Sequence, residues 1–148
     1  MTPNPDFSPT QPMILGFDPG RDKCGLAVVG LDRQLCYHQV VPTGKVIATI
    51  EALRNSFPIS LLVIGDQTTA KRWKQQLSQE LAPISIVMVD ERYSSLEARD
   101  RYWQMYPPTG FSKLLPQSLR QPPRPVDDIV AILLIERYLN RLGKSNIS

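Results

Sequence analysis

Cysteine and histidine are nearly absent from this chain, with two cysteines (Cys24 and Cys36) and one histidine (His38) in 148 residues. The cysteines form no CxxC pair and His38 does not stand at ligand spacing from either, so a disulfide framework and a structural zinc site are both excluded. Two reduced, buried thiols are the expectation. No apolar run approaches the roughly 20 residues that a membrane-spanning helix needs. The start of the chain is polar and proline-bearing, without the basic opening and apolar stretch of a secretory leader. A cytoplasmic protein is therefore expected. Charge of one sign is not dominant either. The formal net charge is +3 and the isoelectric point about 9.0, which permits a nucleic-acid partner without requiring one.

What the sequence does have is proline, unevenly placed. Prolines at 3, 5, 9 and 12 mark residues 1–12 as a disordered tail, and six more between 107 and 125 mark a long loop. Between these segments the hydrophobic pattern is regular. Strands are expected at about 13–18, 25–31 and 35–41, with Asp32-Arg33-Gln34 as a hairpin turn. Thr43 is the expected cap of a helix over about 44–56, whose apolar face holds Val46, Ile47, Ile50 and Leu53. The runs Leu61–Gly65 and Ile84–Val89 read as strands buried on both faces, as in a sheet covered by helices. Thr68 or Thr69 would cap a helix to about Leu81. Ser94 and Glu97 have capping-box spacing at the start of a helix to about Tyr106. A last helix is expected over 126–142, stopped by Gly143. Residues 13–142 then form one α/β domain: a five-stranded mixed sheet, opening as a three-strand meander and continuing as alternating helices and strands, flanked by helices.

Acids stand where these elements end. Asp18 closes the first strand, directly before a Pro-Gly turn. Glu91 follows the fifth strand. Asp127 and Asp128 open the last helix. A carboxylate beside a core strand is costly unless something pairs with it. If strands one and five are parallel, Asp18 and Glu91 emerge at the same sheet edge, and a helix packed across the sheet brings Asp127 alongside. Three converging carboxylates bind hard cations such as Mg²⁺ through oxygen, and such ions serve phosphodiester cleavage.

Basic residues supply the second half of the pattern. Lys71, Arg72 and Lys74 open the second helix. Arg92, Arg99, Arg101, Lys113, Arg120 and Arg124 follow, the last three on the proline-rich loop that leads into Asp127. These are candidate contacts to backbone phosphates, which fix register without reading sequence. Trp73 and Trp103 are expected to pack in the core or at an interface rather than to stack on bases. His38 is expected as a partly exposed residue of the third strand.

Three segments together carry a resemblance. Leu15-Gly16-Phe17-Asp18-Pro19-Gly20 through Gly25-Leu26-Ala27-Val28, then Val89-Asp90-Glu91-Arg92-Tyr93-Ser94-Ser95, then Val126-Asp127-Asp128-Ile129-Val130-Ala131 with Tyr138-Leu139, resemble in order the motifs of the YqgF family, relatives of the RuvC Holliday junction resolvases. The resemblance spans residues 13–139. It implies a ribonuclease H-like nuclease acting on branched DNA or on precursor ribosomal RNA. It further implies that Asp18, Glu91 and Asp127 are catalytic ligands of Mg²⁺ or Mn²⁺, with Asp128 second to Asp127. Lys23 matches the family's basic residue on the second strand, offset by Cys24, and Lys23, Arg92, Lys113, Arg120 and Arg124 become the expected nucleic-acid contacts. Gly65-Asp66-Gln67 departs from the family's Gly-Leu-Pro, but Asp66 stands where the RuvC relatives carry an acid, which implies an extra ligand or a supporting group. Symmetric cutting of a four-way junction implies a homodimer. Two rivals follow from the same residues. One is a nucleic-acid-binding module of this fold without turnover. The other is half of an actin-like ATPase or sugar kinase, for which 148 residues lack the second, duplicated domain.

Overall fold

The computed structural model describes residues 11–145, so the expected tail lies outside the described residues except for its last two positions. The order is β1 (Met13–Asp18), β2 (Lys23–Gly30), β3 (Leu35–Pro42), α1 (Val46–Ser56), β4 (Ile59–Gly65), α2 (Ala70–Glu80), β5 (Ser85–Val89), α3 (Ser94–Met105) and α4 (Asp127–Ser145). The strands form one sheet in the order β3-β2-β1-β4-β5. β1, β2 and β3 pair antiparallel, whereas β4 and β5 run parallel to β1. The expected meander and mixed sheet are present.

The two faces of the sheet follow from the two-residue period of a strand. Leu15 and Phe17 of β1, Leu26 and Val28 of β2, and Leu62 and Ile64 of β4 pack on one side with Val46 and Ile50 of α1 and Leu77 of α2. Ile14, Ala27, Val63 and Val89 face the other side, where α3 contributes Ala98 and Tyr102. On that side α4 buries every residue from Ile129 to Ile135. A helix apolar all round must be covered all round. The sheet covers one flank of α4 and α3 another, with Arg101 holding Glu136 through two hydrogen bonds of 2.9 and 2.8 Å. Trp73 stacks edge-on against Phe17 at 5.2 Å between ring centroids, and Trp103 against Tyr102 at 5.0 Å, so both indoles pack as expected.

Several local expectations change. β2 begins two residues early, at Lys23. Thr43 does not cap α1. It lies in a short 3-10 turn, and its hydroxyl donates to the Gly20 carbonyl at 3.0 Å, bracing the turn after Asp18. Thr69 precedes α2 without a side-chain cap bond. β5 is an edge strand, with Ser85 and Met88 exposed and only Val89 buried, rather than a strand covered on both faces. The capping box at Ser94 is absent: Tyr93 precedes the helix in a left-handed conformation (φ 62°), Ser94 is buried, and Glu97 is taken by Arg137 at 3.0 Å. The loop over 107–125 holds two short 3-10 turns, Gly110–Leu114 and Gln117–Leu119. Gly143 does not stop α4, which runs on to Ser145. Cys24 is buried and Cys36 half-buried, both as free thiols.

Candidate active site

Asp18 continues the row Ile14, Gly16 along β1, so its carboxyl lies on the α4 face of the sheet. Its partner across the β1–β2 pairing is Gly25. A Cβ on Gly25 would collide with the backbone carbonyl of Asp127, so the missing side chain is what lets the start of α4 settle on the strand end. Asp127 is thereby held beside Asp18, close enough for its charge to act on the Asp18 carboxyl.

Glu91 reaches the same edge from β5 by the same period, following Val87 and Val89. β4 lies between β1 and β5, so Glu91 and Asp18 start two strand spacings apart, roughly 10 Å. Gly65 ends β4 in that gap. A Cβ there would strike the Glu91 carboxylate, which therefore occupies the space that a side chain at 65 would fill. The backbone of Glu91 is braced twice. Its N–H donates to Asp66 Oδ1 at 3.3 Å, and Arg137 of α4 donates to the carbonyls of Asp90 and Arg92, both at 2.8 Å. Arg137→Ala is expected to loosen this segment, raising amide exchange at residues 91–93 on the order of tenfold while the α4 core keeps its protection, as measured by hydrogen exchange.

The electrostatics are those of crowded acids. Burial first, then the charges of Asp127 and Glu91, push Asp18 up to about 8. Burial also raises Asp127, partly offset by the positive charge of Lys23. Glu91 is raised by burial and by Asp66 and Asp90. Because the folded pKa of Asp18 lies above its ordinary 3.8, the native state holds a proton that the unfolded chain releases. The stability this proton supports is complete below about pH 4 and is lost as pH rises through about 8, at up to about 1.4 kcal/mol per pH unit. Thermal melts in chelator should therefore fall between pH 5 and about pH 8 in the wild type, and Asp18→Asn should flatten that fall.

Three carboxylates along one edge, with no cation paired to Asp18 among the described residues, are oxygen donors of the kind a hard divalent ion takes. The side chains as they stand are not closed around a common point, and among the described residues no group of three or more His, Cys, Asp or Glu is gathered tightly enough to hold an ion. Asp18 and Asp127 instead stand close enough for each charge to disfavour the other, Asp18 being pushed up by burial and then by Asp127.

The other expected site residues divide. Lys23 lies at the start of β2 near Asp127. Arg92 is exposed and pairs with Asp90 at 3.0 Å. Lys113 and Arg120 sit on the proline-rich loop, where Arg120 bonds the Lys113 carbonyl at 3.3 Å. Arg124 folds back onto the protein. It binds Asp128 at 3.0 Å and lies over the rings of Tyr102 and Tyr106. Asp128 is buried, held between Arg124 and His38 on the β3 side of the helix, and is already satisfied there. Asp66 sits beside Glu91 and supports its backbone. The sequence reading missed the His38–Asp128 pair, whose partners are 90 positions apart, and Arg137, which carries no local signal. No described helix is long and apolar enough to cross a membrane.

This is the α/β architecture of ribonuclease H-like proteins. The chain superposes on a RuvC from Thermus thermophilus in complex with Holliday junction substrate with a TM-score of 0.55 and 17% identity, covering 89% of this chain and 96% of that one. A second Thermus thermophilus RuvC structure matches with a TM-score of 0.48 and 17% identity over 88% and 96% of the two chains. The sequence matches no protein-family model and no curated protein. The likeness establishes the RuvC-like fold.

Proposed function

We propose that this protein is a metal-dependent endonuclease hydrolysing phosphodiester bonds in structured nucleic acid, either a four-way DNA junction or a ribosomal RNA precursor, as its resemblance to the YqgF family implies. The observation that carries the reading is Asp18 at the sheet edge it shares with Glu91 and Asp127, pushed up to about 8 by burial and by the charges of those two acids. Structural acids are not usually crowded in this way. A divalent cation is the partner that would relieve it. A RuvC of the same fold has been seen with a Holliday junction, which supports a branched substrate.

Asp18, Glu91 and Asp127 would hold Mg²⁺ or Mn²⁺. Bound there, the ions would supply Lewis-acid activation of water and neutralise charge at the leaving oxygen. The protein's own contribution is position. Gly25 and Gly65 clear space for Asp127 and Glu91, and Asp66 and Arg137 fix the backbone of Glu91. Lys23, beside Asp127, faces the incoming strand, with Lys113, Arg120 and Arg92 as outer phosphate contacts. Two equivalent cuts in one junction would need two copies of the chain.

The test is cleavage of a labelled panel (four-way junction, flap, linear duplex and a structured ribosomal RNA precursor) in Mg²⁺ and in Mn²⁺. Metal-dependent cutting of one structured substrate is expected, and the substrate preferred would separate junction resolution from RNA processing. Binding without cleavage, indifferent to metal, would instead leave a binding module.

A further inference from the structure

A cleft of about 550 Å³ opens beside the carboxylates, between β3 and the loop that enters α4. Lys23, His38, Arg124 and Asp128 line it, with Val41, Pro42, Tyr106 and Pro125 as an apolar wall. Its polar groups are built rather than scattered. Asp128 is 2% exposed and holds His38 Nδ1 at 2.6 Å through one oxygen and Arg124 at 3.0 Å through the other. One buried carboxylate thus fixes an imidazole and a guanidinium, and stacking over Tyr102 and Tyr106 fixes the guanidinium again, at 5.4 and 5.8 Å. No described residue bonds His38 Nε2. Two permanent cations and an imidazole edge face the cleft against a single carboxylate, a balance that selects an anion.

We propose that this cleft binds a backbone phosphate of the nucleic-acid strand next to the carboxylate site, through Lys23, Arg124 and Nε2 of His38, with its nucleoside against the apolar wall. The identity of the strand rests on the endonuclease reading. Asp127 and Asp128 are consecutive, and Lys23 both lines the cleft and acts by charge on Asp127, so a strand crossing the carboxylates passes the cleft within its own backbone. Nδ1 faces Asp128 and Nε2 faces the cleft, so a ring carrying a proton on each nitrogen donates to Asp128 and to the phosphate at once. Asp128 then serves as a positioning residue.

Because His38 is the only histidine, its ring gives a single Hε1 signal by proton NMR. The full chain in chelator at fixed pH is titrated with 5′-phosphorylated trithymidylate and, separately, with an uncharged methylphosphonate trimer lacking the 5′-phosphate. The expected result is a saturable shift of the His38 signal with the charged trimer alone. Binding should be about tenfold weaker in Lys23→Gln, which alters an exposed side chain. A His38 signal that the charged trimer does not move, or that both trimers move alike, overturns the proposal. Cleavage by a protein whose His38 signal stays still would remove this phosphate site and leave the endonuclease standing. A moving signal without cleavage would keep the site and remove the endonuclease.

Discussion

Asp18→Asn is expected to lower metal-dependent cleavage on the order of a thousandfold or more while leaving nucleic-acid affinity nearly unchanged. Asparagine keeps the size of the side chain. It cannot carry the negative charge that a divalent ion needs from the central ligand of the three. The same change removes a buried group whose ionisation the fold resists, so the variant should melt higher than the wild type in chelator above pH 7. Loss of activity with a gain in metal-free stability separates a functional carboxylate from a structural turn residue, whose loss would lower both. The readouts are single-turnover cleavage, a binding titration and thermal melts with and without Mg²⁺. Unchanged cleavage in Asp18→Asn would exclude the three-carboxylate mechanism.

The second large effect is expected at Gly25. Gly25→Val places a branched side chain where the backbone of Asp127 lies, and backbone cannot swing aside as a side-chain tip can. The start of α4 must lift from β1 and β2, with a cost of about 3 kcal/mol or more and a drop in Tm of roughly 10 °C. Asp127 leaves Asp18 in the same motion, so cleavage should fall even at temperatures where the variant is folded. Gly44→Ala is the matching control. A Cβ there meets nothing within 4 Å, and Tm should hold. Equal melting of the two variants would mean that the α4 approach is not set by the glycine.

The two periods of the chain made much of this legible. Alternation along β1 and β2 fixed which residues face the helices, and the ends of the core elements put Asp18, Glu91 and Asp127 along one edge of the sheet. Local spacing failed where a distant residue competed. Ser94 and Glu97 have capping spacing, but Arg137, forty positions on, binds Glu97 and the loop before it. Ile84–Val89 has the composition of β4, yet strand order leaves β5 at the edge, and composition does not encode order. Asp127 and Asp128 are equivalent as letters. About 100° of helix rotation between them sends one to β1 and the other to His38 on β3. Gly143 carries a helix-stopping residue's cost of about 1 kcal/mol, which the long buried body of α4 outweighs.

The packing of α4 across β1, β2 and α3 also bears on how the chain is made. Among the described elements β1 is synthesised before the others, and the helix that covers its face and carries Asp127 after them. Until Asp127 to Ile135 have emerged, the β1 side holding Ile14 and Asp18 is bare, and the sheet has one dressed face. A nascent chain on the ribosome therefore lacks half its core and one of its three acids at the same moment. Folding and completion of the carboxylate cluster become a single event, so unfinished copies cannot hold an assembled site.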